Sequence, residues 1–340
     1  MTSITSGSVG VKSREDNSGR LSTEQLRQMY ELMALARGLD ERMWLLNRAG
    51  QAAFVISVQG HEAAQAGAGF ALQPGKDFLL PYYRDLALSL HFGLTARDVM
   101  LSLLGKKGDP TSGGRQMPAH YSSSKLKIIT GSSPVATQLP HAVGIALAAK
   151  LRGEDTVAIT STGEGSTSQG DFHEALNFAA VKKLPVIFFI ENNGWAISVP
   201  LAKQMGVAHV SERAKGYGMA GVTVDGTDPV AVYDTVREAA DRARRGEGPT
   251  LIEAMVYRFT AHSSDDDDRS YRPLGEPQEL RAHDPNVRFR ARLIEQGVLS
   301  EDDAKKIEAQ VKAQVDDATD FAEKAPYPDA SELMLHVYGS

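Results

Sequence analysis

A chain of 340 residues, 42% hydrophobic and 24% charged, has the apolar content for a packed core and the length for one large α/β unit. Its net charge of −6 argues against a nucleic-acid partner, which asks for a basic face. With no cysteine there is no disulfide, thiolate metal site or cysteine nucleophile, and no apolar run reaches the roughly 20 residues that span a bilayer.

Residues 1–20 read as a flexible tail: Ser- and Gly-rich, without the apolar core of a secretory signal, and carrying Glu15 and Asp16, unlike a transit peptide. A cytoplasmic location is the expectation. Residues 21–340 are expected to form one domain, with a helical C-terminal segment from about 284. Ser22-x-x-Gln25 has capping-box form and opens a long amphipathic helix whose apolar face is Leu26, Met29, Met33, Leu39, Met43 and Leu46, ended by Gly50. The Ala- and Gly-dense segment 60–72 predicts a tightly packed helix. There Glu62 reads most simply as an acid complementing the helix dipole.

Phe78–Leu80 predicts a short strand, and Pro81-Tyr82-Tyr83-Arg84-Asp85 heads a further helix. Thr95-x-x-Asp98 caps another. The polar loop 108–124, with Arg115, Met117 and His120, is of a length usually functional or disordered. Ser132 to Gln138 leads into an Ala-rich helix ending near Lys150.

Thr156–Thr160 and Val186–Ile190 are short apolar runs flanking a helical pattern opened by Ser168 and Asp171. This is a βαβ unit, which predicts parallel strands and a right-handed crossover. Strands over Val222–Val224 and Thr250–Tyr257, with a helix from Asp228 to Arg245 between them, continue the alternation. The fold class is therefore α/β, a mostly parallel central sheet flanked by helices. The polar loop 261–275 holds His262 and the run Asp265–Asp268. Helices are expected over Pro285–Glu295 and Ser300–Lys324, followed by an apolar tail at Leu333–Val337.

In such sheets ligands bind beyond the carboxyl ends of the strands, where Gly163-Glu164-Gly165 and Asn192-Asn193 fall. Glu164 and Asn193 offer hard oxygen ligands of the kind Mg²⁺ takes alongside water and phosphate. The two glycines allow backbone to approach an anion, and a helix starting near Ser168 would direct its positive end there. A magnesium diphosphate site satisfies all of these, whereas a plain loop with a capping acid and an Asn-rich turn satisfies each separately. A Mg²⁺-dependent nucleotide-binding regulatory module shares this edge geometry, but the chain has no phosphate-binding Gly-x-x-x-x-Gly-Lys-Ser/Thr loop. A non-catalytic structural subunit is the third reading.

Gly-Glu-Gly followed after about thirty residues by Asn-Asn is similar to the thiamine diphosphate fingerprint. Together with FVISVQGHEAA, PYYRD, GGRQMPAHY, SSPVATQ, ENNGWAISVP and YRFTAHSSDDDDRSYR it resembles the alpha subunit of the branched-chain 2-oxo acid dehydrogenase decarboxylating component. The resemblance runs from Leu21 to the C-terminus. It implies a thiamine diphosphate-binding fold and 3-methyl-2-oxobutanoate dehydrogenase (2-methylpropanoyl-transferring) activity, with pyruvate or acetoin as the alternative substrate. It implies Mg²⁺ on Glu164, Asn193 and the Trp195 carbonyl, and diphosphate contacts from Tyr83, Arg84 and His262, the last also catalytic. Gly163, Gly165 and Ser166 would line the diphosphate. Ser133 and Val135 would meet the thiamine rings, and Ser132, Pro134, Thr137 and Gln138 would hold K⁺.

The bland alternatives are a surface Arg84, a core Tyr83, a simple turn at Ser132–Gln138 and an exposed loop His262. Asp265–Asp268 reads as a solvated run, or as a means of ordering the loop or keeping His262 protonated. Ser263 matches a regulatory phosphoserine position, but the adjacent acids would repel a phosphate. Glu191 stands where relatives place Arg, so Arg84 and Arg258 would matter more. The resemblance further implies a beta subunit that supplies the cofactor-activating Glu, an α₂β₂ heterotetramer and a lipoyl acyltransferase partner. No membrane or nucleic acid is expected to take part.

Overall fold

The computed structural model describes residues 21–335 and 337; the tail expected over 1–20 lies outside them. The helix α1 (Thr23–Arg48) begins on the Ser22/Gln25 capping box and ends before Gly50, whose φ of 73° lets the chain turn away. Next come α2 (Glu62–Phe70), β1 (Phe78–Leu80), α3 (Leu86–His91) and α4 (Ala96–Leu103), the last on the Thr95/Asp98 capping box. The small residues of α2 do bring backbones together. A Cβ on Gly67 would sit 2.4 Å from the carbonyl oxygen of Pro229.

The central unit is α5 (Gln138–Arg152), β2 (Ala158–Gly163), α6 (Gly170–Lys182) and β3 (Val186–Asn192). A two-stranded ribbon follows, β4 (Trp195–Ala196) with β5 (Val199–Pro200). The chain continues through α7 (Ala214–Tyr217), β6 (Ala220–Asp225), α8 (Pro229–Arg244) and β7 (Thr250–Met255), then α9 (Glu276–Arg281), α10 (Pro285–Glu295) and α11 (Glu301–Lys324). No helix among the described residues is long and apolar enough to cross a membrane.

The main sheet has the order β1-β2-β3-β7-β6, and every pairing is parallel. Both faces are covered. Ile187 and Phe189 join the core beneath α1, α2 and α8, while Val186, Phe188 and Ile190 join the one beneath α5 and α6. A strand buried on both sides has no polar-out alternation, which is why β3 reads as a continuous apolar run. It also explains why β2 ends later than its apolar run. Thr160 is paired on both sides, and the buried Ser161 and Thr162 carry the strand on through pairing with β3.

The expected helix start near Ser168 is displaced. Glu164–Ser168 forms one 3₁₀ turn and α6 begins at Gly170, with no side-chain cap from Ser168. Thr167 holds that turn, its Oγ1 donating to the Glu164 carbonyl at 2.7 Å while its own carbonyl accepts from Arg213 Nη1 at 2.5 Å.

Candidate active site at the carboxyl edge of the sheet

Register decides what converges. Gly163 pairs with Glu191 and Glu191 with Ala254, so the loops after β2, β3 and β7 leave the sheet side by side. The segment Pro81–Asp85 leaves β1 at the same edge. These loops enclose a cavity of about 270 Å³ lined by Tyr83, Arg84, Ser133, Val135, Gly163, Glu164, Gly165, Ser166, Asn193, Trp195 and His262. Every residue expected to touch a diphosphate or the thiamine rings lines this one space. Tyr82, Ala196 and Ile197 complete the wall.

Glu164 is 2% exposed. Its Oε1 accepts from Gln204 Nε2 at 3.2 Å and its Oε2 from the Asn193 backbone N–H at 3.3 Å. Burial pushes its carboxyl above the usual range, with the hydrogen bonds from Gln204 and Asn193 and the Arg258 charge acting the other way. A bound cation would reverse that shift. Asn193 Oδ1 accepts from the Trp195 backbone N–H at 3.1 Å. Carboxylate, amide and carbonyl oxygens suit a hard divalent ion. Among the described residues no group of three or more His, Cys, Asp or Glu side chains could hold a metal, so the donors here are mixed.

Two guanidiniums are close to this oxygen set, Arg84 in the cavity lining and Arg258 near enough to act on Glu164. Arg84, 1% exposed, donates from Nη1 to the Ser57 carbonyl at 2.8 Å and from Nη2 to the His262 carbonyl at 3.0 Å and His262 Nδ1 at 3.1 Å. It is not a surface cation. Arg258, equally buried, donates from Nη2 to the Ile197 carbonyl and the Tyr271 hydroxyl, while its Nε and Nη1 have no partner. Orphaned buried guanidinium donors fit an anion. Gly163 has open space where a Cβ would stand, so backbone faces the cavity there. Gly165 lines the cavity too, and a Cβ on it would meet the Ala196 Cβ at 2.5 Å, so its missing side chain also makes room for β4.

His262 is neutral. Burial, with Arg84 and Arg258 nearby, lowers its pKa to about 4. This overturns the idea that the acidic run keeps it protonated. Asp266 instead orders the loop, accepting from the His262 backbone N–H at 2.7 Å and from the Tyr271 hydroxyl. Because Nδ1 accepts from Arg84, the ring proton sits on Nε2, and Tyr83 packs edge-on at 5.9 Å. Ser263 is buried, and its Oγ accepts from the Asp265 N–H at 3.3 Å.

Below the cavity floor, Ser132 Oγ donates to the Pro134 carbonyl at 2.7 Å and contacts Thr137 Oγ1, which also reaches that carbonyl. Gln138 donates from Nε2 to the Ser161 carbonyl at 2.7 Å, and its buried Oε1 has no partner. Oxygens cluster here with one left unsatisfied, which fits a hard monovalent cation.

The sequence did not foretell a buried group behind Asn193. His61 Nδ1 lies 2.5 Å from Glu191 Oε2, which also accepts from Gln65 Nε2 at 3.1 Å and the Tyr82 hydroxyl at 3.2 Å. Asp85 packs against Glu191, and burial together with that neighbour pushes the Asp85 carboxyl well above its usual range, so Asp85 keeps its proton. Glu191 thus replaces an expected cation without leaving a bare charge in the wall. Glu62 likewise does more than serve a dipole: fully buried, it pairs with Arg37 at 2.6 Å and accepts from the Gly60 N–H at 2.7 Å. His120, noted only as part of a polar loop, places Nε2 2.8 Å from Ser133 Oγ.

The dehydrogenase E1 component family model matches residues 30–331. The chain is 55% identical over 318 residues to the 2-oxoisovalerate dehydrogenase subunit alpha of Bacillus subtilis, covering 94% of this chain and 96% of that one. It is 39% identical to the 3-methyl-2-oxobutanoate dehydrogenase subunit alpha of Mycobacterium tuberculosis, covering 94% and 84%. The pyruvate dehydrogenase E1 component subunit alpha of Bacillus subtilis is also 39% identical, over 94% and 83%. With this match laid over the converged strand-end loops, the chain belongs to the dehydrogenase E1 component family.

Proposed function

We propose that this chain is the alpha subunit of a branched-chain 2-oxo acid dehydrogenase and that its strand-edge cavity holds thiamine diphosphate with Mg²⁺. One observation carries the reading: the buried Glu164 carboxyl and Asn193 line one cavity with the buried guanidinium of Arg84, and the buried Arg258, with two unpartnered donor nitrogens, is close enough to Glu164 to act on its charge. A cation bridging to an anion satisfies both halves at once. Glu164, the Asn193 amide oxygen and the Trp195 carbonyl would hold Mg²⁺. Tyr83, Arg84 and His262 would meet the diphosphate, with Gly163 and Ser166 beside it, and Ser133 and Val135 would meet the rings. The Ser132, Pro134, Thr137 and Gln138 oxygens would hold K⁺ beneath.

Thiamine diphosphate, when bound, supplies the electron sink that lets a 2-oxo acid lose carbon dioxide. The protein's share is placement and proton handling. Neutral His262 keeps its Nε2–H as a donor at physiological pH, and Arg84 fixes the ring by occupying Nδ1. Glu164 is the one carboxylate among the described residues lining the cavity, and it is committed to the cation. In keeping with the family resemblance, the acid that activates the cofactor would come from a beta subunit in an α₂β₂ assembly that passes its acyl group to a lipoyl acyltransferase.

The 55% identity to a subunit named for 2-oxoisovalerate, against 39% to one named for pyruvate, favours a branched substrate. A pyruvate dehydrogenase alpha subunit is the second reading. Co-purified with its beta subunit, the complex should retain thiamine diphosphate only with Mg²⁺ and should turn over 3-methyl-2-oxobutanoate faster than pyruvate. Preference for pyruvate would overturn the substrate assignment, and absence of cofactor binding would overturn the site.

A further inference from the structure

Asn193 Oδ1 and Nδ2 are near-identical in shape, yet only the oxygen can ligate a cation. Two fixed partners distinguish them. The backbone N–H of Trp195 can only donate, so the atom 3.1 Å from it is Oδ1. The other atom, Nδ2, then faces His61 Nε2 at 3.4 Å. An amide nitrogen donates only, so Nε2 must be the bare acceptor and the ring proton must sit on Nδ1, which points at Glu191 Oε2 2.5 Å away. His61 is fully buried, so Nδ2 is the atom turned into the protein and Oδ1 the atom left toward the cavity.

We propose that His61, locked in its Nδ1-protonated tautomer by Glu191, is the positioning residue that turns the Asn193 amide oxygen toward the cation. This rests on Asn193 being a Mg²⁺ ligand. The device spans three elements: His61 precedes α2, Glu191 belongs to β3, and Asn193 opens the loop beyond it. Gln65 from α2 and Tyr82 from the loop after β1 donate to the same Glu191 oxygen, so the acceptor that selects the tautomer is itself held from two further sides. Partners of this kind behind a metal ligand typically account for about 10- to 100-fold in metal affinity.

The test measures the Mg²⁺ concentration giving half-maximal quenching of tryptophan fluorescence at fixed thiamine diphosphate, in the alpha–beta complex. Trp195 lines the cavity and Trp44 does not, so the part of the signal lost in a Trp195→Phe complex reports on the site. His61→Phe removes the acceptor and should raise half-saturation about tenfold or more. His61→Gln, whose amide oxygen can take the place of Nε2, should stay within about threefold. Asn193→Asp makes both terminal atoms oxygens, so in that background His61→Phe should change half-saturation by less than about twofold. A structural role would shift both backgrounds alike, and that result, or no shift in either, overturns the proposal. Should His61→Phe fail to assemble, Glu191→Gln carries the test: its amide no longer dictates the tautomer, and unchanged half-saturation there overturns the idea equally. A wild-type complex that binds no thiamine diphosphate would instead defeat the functional reading on which this one stands.

Discussion

Two walls of the same cavity are built on different principles. The strand-edge wall, Glu164 with Asn193, is backed by buried groups that hold each other: His61, Gln65, Tyr82 and Asp85 around Glu191, and Glu253, which accepts from Asn192 Nδ2 at 2.7 Å. The opposite wall, Ser133 and Val135, belongs to the stretch 104–137, which contains neither helix nor strand element. Ser132, Ser133 and Pro134 are exposed, and Ala136 sits at a φ of 74°. The first wall is preformed. The second is held by short-range oxygen contacts and by His120, and such segments open locally at lower cost than a packed strand end.

Breaking the preformed wall should have the largest effect. Glu164→Gln keeps the shape and removes the charge, so Mg²⁺-dependent binding of thiamine diphosphate should fall more than about 100-fold, with alpha–beta assembly unchanged by gel filtration. Next is Arg84→Met, which strips donors from two carbonyls and from His262 Nδ1. It should cost roughly 2–4 kcal/mol in denaturant unfolding and weaken cofactor binding as well.

Acidification sharpens the contrast. His262 and His91 both have pKa values lowered to about 4 by burial, so the unfolded chain takes up protons first, below its ordinary value near 6.5. Stability contributed by these neutral rings is complete above pH 6.5 and is lost as pH falls toward 4. Asp40 opposes them: burial raises its carboxyl to about 6, so the folded chain binds that proton more readily and gains as pH falls from 6 toward 3.8. Buried His61 acts with the two histidines, while the raised carboxyls of Asp85, Glu164 and Glu191 act with Asp40, so the histidine share shows in a variant comparison. Melting curves of the wild type and His262→Asn from pH 7 to 4 should diverge by on the order of 1–2 kcal/mol, the variant losing less on the acid side.

The loop wall should give the smallest effect. K⁺ in place of Na⁺ should raise the melting temperature by a few degrees, about 1 kcal/mol, and Gln138→Leu should abolish that difference. Equal melting in both salts would leave the Ser132–Gln138 cluster a turn and nothing more.

Much of this was legible in one dimension because the signals are local. Capping pairs placed α1 and α4, the apolar runs either side of α6 announced a parallel βαβ unit, and the Gly-Glu-Gly and Asn-Asn pieces fell at strand ends where parallel sheets bind ligands. Residue type and strand-end position singled out Glu164 and Asn193, the resemblance alone singled out Arg84, and all three line one cavity. It was not enough where a role depends on a distant partner. His61 and Glu191 are 130 residues apart, and neither carries a mark of the other until α2 packs over the edge of β3. The neutral state of His262 is likewise invisible beside four aspartates, because burial next to two guanidiniums outweighs sequence neighbours. That Gly165 also makes room for Ala196 shows only once β4 packs against it. By itself the sequence determined which chemistry is present and on which strand ends. Only the tertiary structure decided how each polar group is paired, oriented and protonated, because desolvation and hydrogen-bond direction depend on neighbours that the chain brings together by folding.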